Sequence, residues 1–271
     1  MLYVASLRYG TVFKKAFSDP AIFTAFVKDM LDVDIEIERV ETEKSFDPPV
    51  GNVDVEFDLY AEDRKHRIIV DIQHERYGDH YDRFLYYHCI ALAEQIKNAG
   101  NYRPGLKVFT IVVLTSGDRH HRDVAITDFA PHDLRGRALA ELPHKILWLC
   151  PKYADDQTPE PYREWLRAID DSLDGQVEET RYQRPAIQQV FQHIERGLIT
   201  PHERAQMIEE THAEELRQRK ELRVRIKIAR AMLAKQMDTA LIAEITGLAL
   251  DDLGRLIRGE SVTVDDSDEM D

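Results

Sequence analysis

Apolar residues recur at helical spacing over residues 12–32, through Phe13, Phe17, Ile22, Phe23, Phe26, Val27, Met30 and Leu31. Ser18-Asp19-Pro20 interrupts them, ending one helix and capping the next. Residues 35–40 read as a short strand, and Asp47-Pro48-Pro49-Val50-Gly51-Asn52 as a turn. The period then changes to two. Val53, Val55, Phe57 and Leu59 alternate with Asp54, Glu56, Asp58 and Tyr60, the pattern of a strand with one apolar face. After the polar stretch 62–66, Ile68, Val70 and Ile72 alternate with Arg67, Ile69, Asp71 and Gln73. Two strands joined by a short polar turn form a hairpin.

Residues 81–98 return to helical spacing, with Phe84, Leu85, Cys89, Leu92 and Ile96 as the buried stripe, and end at Ala99-Gly100. Residues 107–115 are an apolar run of strand length suited to the middle of a sheet, and 145–150 repeat that character. The order helix, strand, strand, helix, strand predicts an α/β fold, a mixed sheet flanked by helices. Beyond Pro151 strand signals stop, and an all-helical C-terminal region is expected, with breaks at Gly175 and 197–201. A last pair of short helices surrounds Thr246-Gly247-Leu248. The expected parts are a core over 1–155, a helical region over 156–230, a helical pair over 231–260 and a disordered acidic tail over 261–271.

Composition narrows the function classes. The chain has 271 residues, 43% apolar and 32% charged, which describes a soluble globular protein. Cys89 and Cys150 form no C-x-x-C spacing, so neither a zinc site nor a disulfide scaffold is expected. No segment has the length of a membrane span and the N-terminus lacks a signal pattern, so the expected location is the cytoplasm. No H-E-x-x-H, phosphate-loop, dinucleotide or serine-elbow motif occurs, which sets aside histidine metal chemistry and nucleotide cofactors. The net charge of −14 opposes nonspecific binding to a polyanion, so contact with DNA requires local positive charge. Arg217, Arg219, Lys220, Arg223, Arg225, Lys227 and Arg230 offer such a face. The same residues also suit a solvated helix balanced by Glu209, Glu210, Glu214, Glu215 and Glu221.

The hairpin carries the sharpest chemistry. A turn at Arg64-Lys65 pairs Asp58 with Asp71, Glu56 with Gln73 and Glu62 with Arg67. Opposed residues in an antiparallel pair have Cβ atoms roughly 4.5–5.5 Å apart. Two carboxylates at that spacing repel unless a cation sits between them. Asp71 and Gln73 share one face of their strand, and the Ile72 backbone carbonyl can join them as an oxygen ligand. Magnesium, or manganese, suits such a set. The alternative is that Asp54, Glu56, Asp58 and Asp71 are the wet face of an amphipathic hairpin.

The segments Val53-Asp54-Val55-Glu56-Phe57-Asp58, Ile69-Val70-Asp71-Ile72-Gln73 and Asp82-Arg83-Phe84-Leu85-Tyr86-Tyr87 resemble the Rpn-type recombination-promoting nucleases, transposase-like members of the PD-(D/E)xK superfamily. Phe13-Lys14-Lys15-Ala16-Phe17 and Ile245-Thr246-Gly247-Leu248 extend the resemblance over most of the chain. It implies a restriction-endonuclease-like core, a metal-dependent DNA endonuclease activity linked to recombination or mobile elements, and a site at Asp58, Asp71 and Gln73. Arg83 and Tyr87, four apart on a helix, are candidates for phosphate contact, as is Lys14. Gly10 stands where the family commonly has an acid, and Gln73 where the wider superfamily has Lys. Gln orients water but brings no charge, so a weakly active or inactive nuclease fold serving as a DNA-binding or assembly module is the alternative. A homodimer would suit cutting of both strands. The last helical pair has the size of a helix-turn-helix, but Asp251 and Asp252 would oppose phosphates, so protein contact is expected there.

Overall fold

A computed structural model describes residues 1–46, 53–74, 78–96, 101–139, 141–260 and 262. In chain order the elements are β1 (Leu2–Tyr3), α1 (Gly10–Phe17), α2 (Pro20–Leu31), β2 (Glu41–Phe46), β3 (Val55–Glu62), β4 (His66–Gln73), α3 (His80–Ala93), β5 (Lys107–Leu114), β6 (Val124–Asp128) and β7 (Lys145–Leu149). They continue with α4 (Tyr162–Asp171), β8 (Gln176–Val177), α5 (Pro185–His193), α6 (Pro201–Leu233), α7 (Thr239–Thr246) and α8 (Leu250–Ile257). The chain forms two compact units, 1–207 and 208–271.

In the first unit a six-stranded sheet runs in the order β2-β3-β4-β5-β7-β6. The neighbours β4, β5 and β7 are parallel to one another, and the remaining pairs are antiparallel. This is the mixed sheet flanked by helices that the sequence predicts. Asp19 caps α2 as expected: its Oδ1 accepts the N–H groups of Ala21 and Ile22 at 2.8 and 3.3 Å, with Pro20 at the first helical position. The hairpin turn is held by Asp63, whose Oδ1 accepts the N–H groups of Lys65 and His66, each at 2.7 Å.

Strand β4 is buried on both sides. Ile68, Val70 and Ile72 pack with α1, α2, α4 and α5, whereas Ile69 packs with Phe84, Tyr87 and Ile90 of α3. A strand pairing with neighbours on both edges and covered on both faces is a central strand, so the hairpin has no wet face along β4.

Several expectations are corrected. Residues 35–40 form no strand: Ile35 packs into the core, and pairing with β3 begins at Glu41. Strand β6 carries exposed Ile126 and had no strand signal, yet it closes the sheet edge against β7. The helix expected over 81–98 ends at Ala93. After Pro151 the chain is not wholly helical, since β8 pairs with β1 at the N-terminus. Within the compact unit that runs to Met207, Trp165, Leu166, Ile169, Ile187 and Phe191 enter the same core as the sheet. The turn at 47–52, the helix end at 99–100 and the acidic tail from 263 lie outside the described residues.

In the second unit Ala229, Ile242, Leu248, Leu253 and Leu256 form a small core. Asp238 caps α7, and Gly247 ends it in the left-handed region at φ 66°. Among the described residues no helix is long and apolar enough to cross a membrane.

Trp165 is 1% exposed, lies against Phe17 and Phe26, and donates from Nε1 to Asp29 at 2.7 Å. Trp165→Ala should therefore destabilise the sheet unit by about 3–5 kcal/mol. Trp148, the one other tryptophan of the chain, stays in β7 to report on the sheet by fluorescence during urea unfolding. A loss under about 1 kcal/mol would contradict a shared core.

Candidate metal centre

The regular ladder between β3 and β4 pairs Leu59 with Val70 through Glu62 with Arg67, in the register predicted from the sequence. It stops one residue short of the two acids. There, side chains take over the linking role: Asp58 donates its N–H to Asp71 Oδ1 at 3.2 Å, and Ile72 donates its N–H to Asp58 Oδ2 at 2.9 Å. Asp58 and Asp71 are thus held together where the strands leave regular pairing. Strand β2 also departs at this level, since Glu43, at φ 56°, falls between the paired residues Thr42 and Lys44.

The alternation of β3 changes at the same place. Val55 and Phe57 pack with the α3 cluster, whereas Leu59 and Ala61 pack with the α1–α2 cluster. The expected single face of Asp54, Glu56, Asp58 and Asp71 therefore does not form. Asp54 and Glu56 are exposed, and Asp58 and Asp71 are brought together without them.

Asp71 is 5% exposed, and its Oδ2 is buried with no hydrogen-bond partner among the described residues. Burial, followed by the charge on Asp58, raises the Asp71 carboxyl well above the usual carboxylate range. The N–H from Asp58 and the Arg83 guanidinium act in the opposite sense. A buried carboxylate oxygen without a donor, beside a second carboxylate, could accept a hard cation. Among the described residues no cluster of three or more His, Cys, Asp or Glu residues is arranged to hold a metal. A two-carboxylate site fits an ion that keeps several waters, as magnesium does.

Around this pair α3 places Arg83 and Tyr87. Arg83 Nη2 donates to the Tyr87 hydroxyl at 3.3 Å, and its guanidinium lies 5.3 Å from the Tyr87 ring centre. Tyr87 in turn meets Phe57 edge-on. Gln73 is half-buried two residues beyond Asp71, and its backbone carbonyl accepts the Thr115 N–H at 3.0 Å. Lys14 donates to Glu43 Oε1 at 2.7 Å and holds that carboxyl below its usual range. Sequence reading missed His74 and Thr115, whose Nδ1 and Oγ1 lie 2.9 Å apart at the end of β4. The available signal was their position: His74 directly follows one predicted strand, and Thr115 is the last residue of another.

The family model described as "PD-(D/E)XK nuclease family transposase" matches residues 9–222. A second, described as "Rpn/YhgA-like nuclease family, C-terminal HTH domain", matches residues 223–257. The last helical pair is accordingly a helix-turn-helix, which revises the expectation of a protein-contact module. No curated protein and no solved structure matches the chain.

Asp71→Asn removes one of two like charges while keeping an oxygen to accept the Asp58 N–H. In chelator at neutral pH it should raise the melting temperature of the sheet unit by ~2–4 °C, the shift that about 1 kcal/mol makes in a domain of this size. The sign follows from the raised folded-state carboxyl. Its stabilising contribution is complete below the unfolded carboxylate pKa and is lost as pH rises through the higher folded value, so the gain from Asn should vanish in acid. Calorimetric scans at both pH values check this, and an unchanged or lower melting temperature at neutral pH contradicts it.

Proposed function

Because the chain belongs to the PD-(D/E)XK nuclease family transposases, we propose that it is a metal-dependent DNA endonuclease whose site is built on Asp58, Asp71 and Gln73. The observation that carries this reading is the buried Asp71 Oδ2, left without a donor beside a second carboxylate. Asp58 and Asp71 would hold magnesium, or manganese in its place. The Ile72 carbonyl is a third candidate ligand, since a residue in an extended strand directs its N–H and C=O to the same neighbour, and the Ile72 N–H reaches Asp58. When bound, such an ion polarises a phosphoryl oxygen and lowers the pKa of a bound water.

The chain's own groups supply the positioning. Gln73 lies on the same face of β4 as Asp71 and can orient the attacking water by hydrogen bonds. Arg83 offers a planar fork to a backbone phosphate, and its bond to Tyr87 fixes the direction of that fork. Lys14, paired with Glu43, is a weaker candidate for the same work. The 223–257 unit brings a second means of holding DNA. Its core uses Leu222, Ile226 and Ala229 of α6 and leaves Arg223, Lys227 and Arg230 exposed. A link to recombination follows the family resemblance and belongs to the same proposal, as do a homodimer, which would suit cutting of both strands, and a cytoplasmic location.

A second reading keeps the fold without the chemistry, and Gln73 favours it. Gln carries no positive charge toward the transition state, so the chain would then bind DNA or assemble without cutting.

Supercoiled plasmid distinguishes the two. The parent should nick or cut it with magnesium or manganese and not in chelator. Asp58→Ala and Asp71→Ala should each lose at least ~100-fold in rate. Gln73→Ala should lose roughly 10- to 100-fold, the range typical of removing an outer partner of a metal site. Acid variants that cut as fast as the parent would place the activity elsewhere.

A further inference from the structure

Between β5 and β6 the chain reads Asp118-Arg119-His120-His121-Arg122-Asp123, formally two acids and two arginines. The structure separates those charges. Asp118 is buried, and its Oδ1 accepts the N–H groups of His120 and His121 at 3.0 and 3.1 Å while its Oδ2 accepts the Tyr81 hydroxyl. Asp123 is likewise occupied, by the Val124 N–H at 2.8 Å and the Thr158 hydroxyl at 2.7 Å. Arg119, His120, His121 and Arg122 are all exposed. Neither arginine has a carboxylate partner among the described residues. The two arginines therefore face solvent while both acids accept hydrogen bonds from within the fold, in a chain of net charge −14.

The segment is also held in shape. Gly117 turns it at φ 74°, where a Cβ would come within 2.5 Å of the Tyr153 ring. Tyr153 donates its hydroxyl to the Asp118 carbonyl at 3.1 Å, and the His121 ring stacks on Tyr153 with centres 5.1 Å apart. The Arg119 guanidinium lies 5.9 Å from the Tyr81 ring centre. At the far end Cys150 donates its N–H to the Asp123 carbonyl at 2.8 Å, tying the segment to the end of β7. Groups fixed before binding lose less freedom when a ligand arrives.

The segment lies beyond the C-terminal ends of the parallel strands. Strands β4, β5 and β7 are parallel, so their C-terminal ends share one edge of the sheet, where α/β proteins bind ligands. Asp71 and Gln73 close β4 at that edge. Thr115, which bonds Gln73, lies three residues before Asp118.

We propose that Arg119 and Arg122, steered by Asp118 and Tyr153, form a rim that seats the phosphodiester backbone of DNA beside the Asp58–Asp71 pair. The proposal rests on the nuclease reading for the identity of the polyanion. Arginine suits the role because its planar fork matches phosphate oxygens.

The test measures binding of a DNA duplex to the full chain in chelator, over a series of salt concentrations, followed by plasmid cutting with magnesium or manganese. The double variant Arg119→Gln with Arg122→Gln should bind about tenfold or more weakly at low salt. Its log–log salt dependence should be shallower by roughly 1.8, about 0.9 for each phosphate that an arginine no longer neutralises. Arg119→Lys with Arg122→Lys should keep the parent slope. Parent-like affinity and slope in the Gln variant would overturn the rim. The two readings fail separately. A parent that loses salt-dependent binding with the arginines but never cuts with either ion keeps the rim and sinks the nuclease, whereas undiminished binding and cutting by the Gln variant does the reverse.

Discussion

The structure turns on two acidic side chains held together inside the sheet, at the level where the pairing of β3 and β4 gives out. Each carboxylate accepts a backbone N–H from the opposite strand, so the acids substitute for the ladder bonds missing at that level. Those bonds satisfy only part of the demand. Asp71 keeps one buried oxygen without a donor, and it faces the charge of Asp58 in surroundings that screen little. Such an arrangement costs stability, and a hard cation between the carboxylates would offset that cost.

The rest of the first unit serves to fix that pair. Strand β4 is covered on both faces, by α1, α2, α4 and α5 on one side and by α3 on the other, which leaves Asp71 little room to turn toward water. Helix α3 carries Arg83 and Tyr87 toward the same region, and the parallel strands bring the Arg119–Arg122 segment to the same edge. The overall negative charge is thus no bar to a polyanionic substrate. The carboxylates of residues 118 and 123 accept hydrogen bonds from within the fold, and the arginines between them face solvent. Field at the site depends on that local arrangement more than on net charge.

Much of this was legible in the sequence. The period-two runs at 53–60 and 67–73 gave the hairpin, its polar turn gave the register, and the register brought Asp58 and Asp71 together. Three things were not legible. The change of face within β3 depends on packing against separate helix clusters, so strict alternation placed Glu56 with Asp58 although only Asp58 joins Asp71. The strand β6 and the core role of α4 and α5 arise from contacts between residues far apart in sequence, such as Trp165 with Phe17. The turn role of Asp118 was equally hidden, because an acid beside arginines reads as charge balance until its hydrogen bonds are seen.

The most direct measurement is calorimetric titration of the metal-free full chain with manganese. The account predicts one ion bound per chain in the parent, and loss of that binding in both Asp58→Ala and Asp71→Ala proteins that still unfold cooperatively. Binding of the same strength in the parent and in both variants, or no binding in the parent, would contradict it.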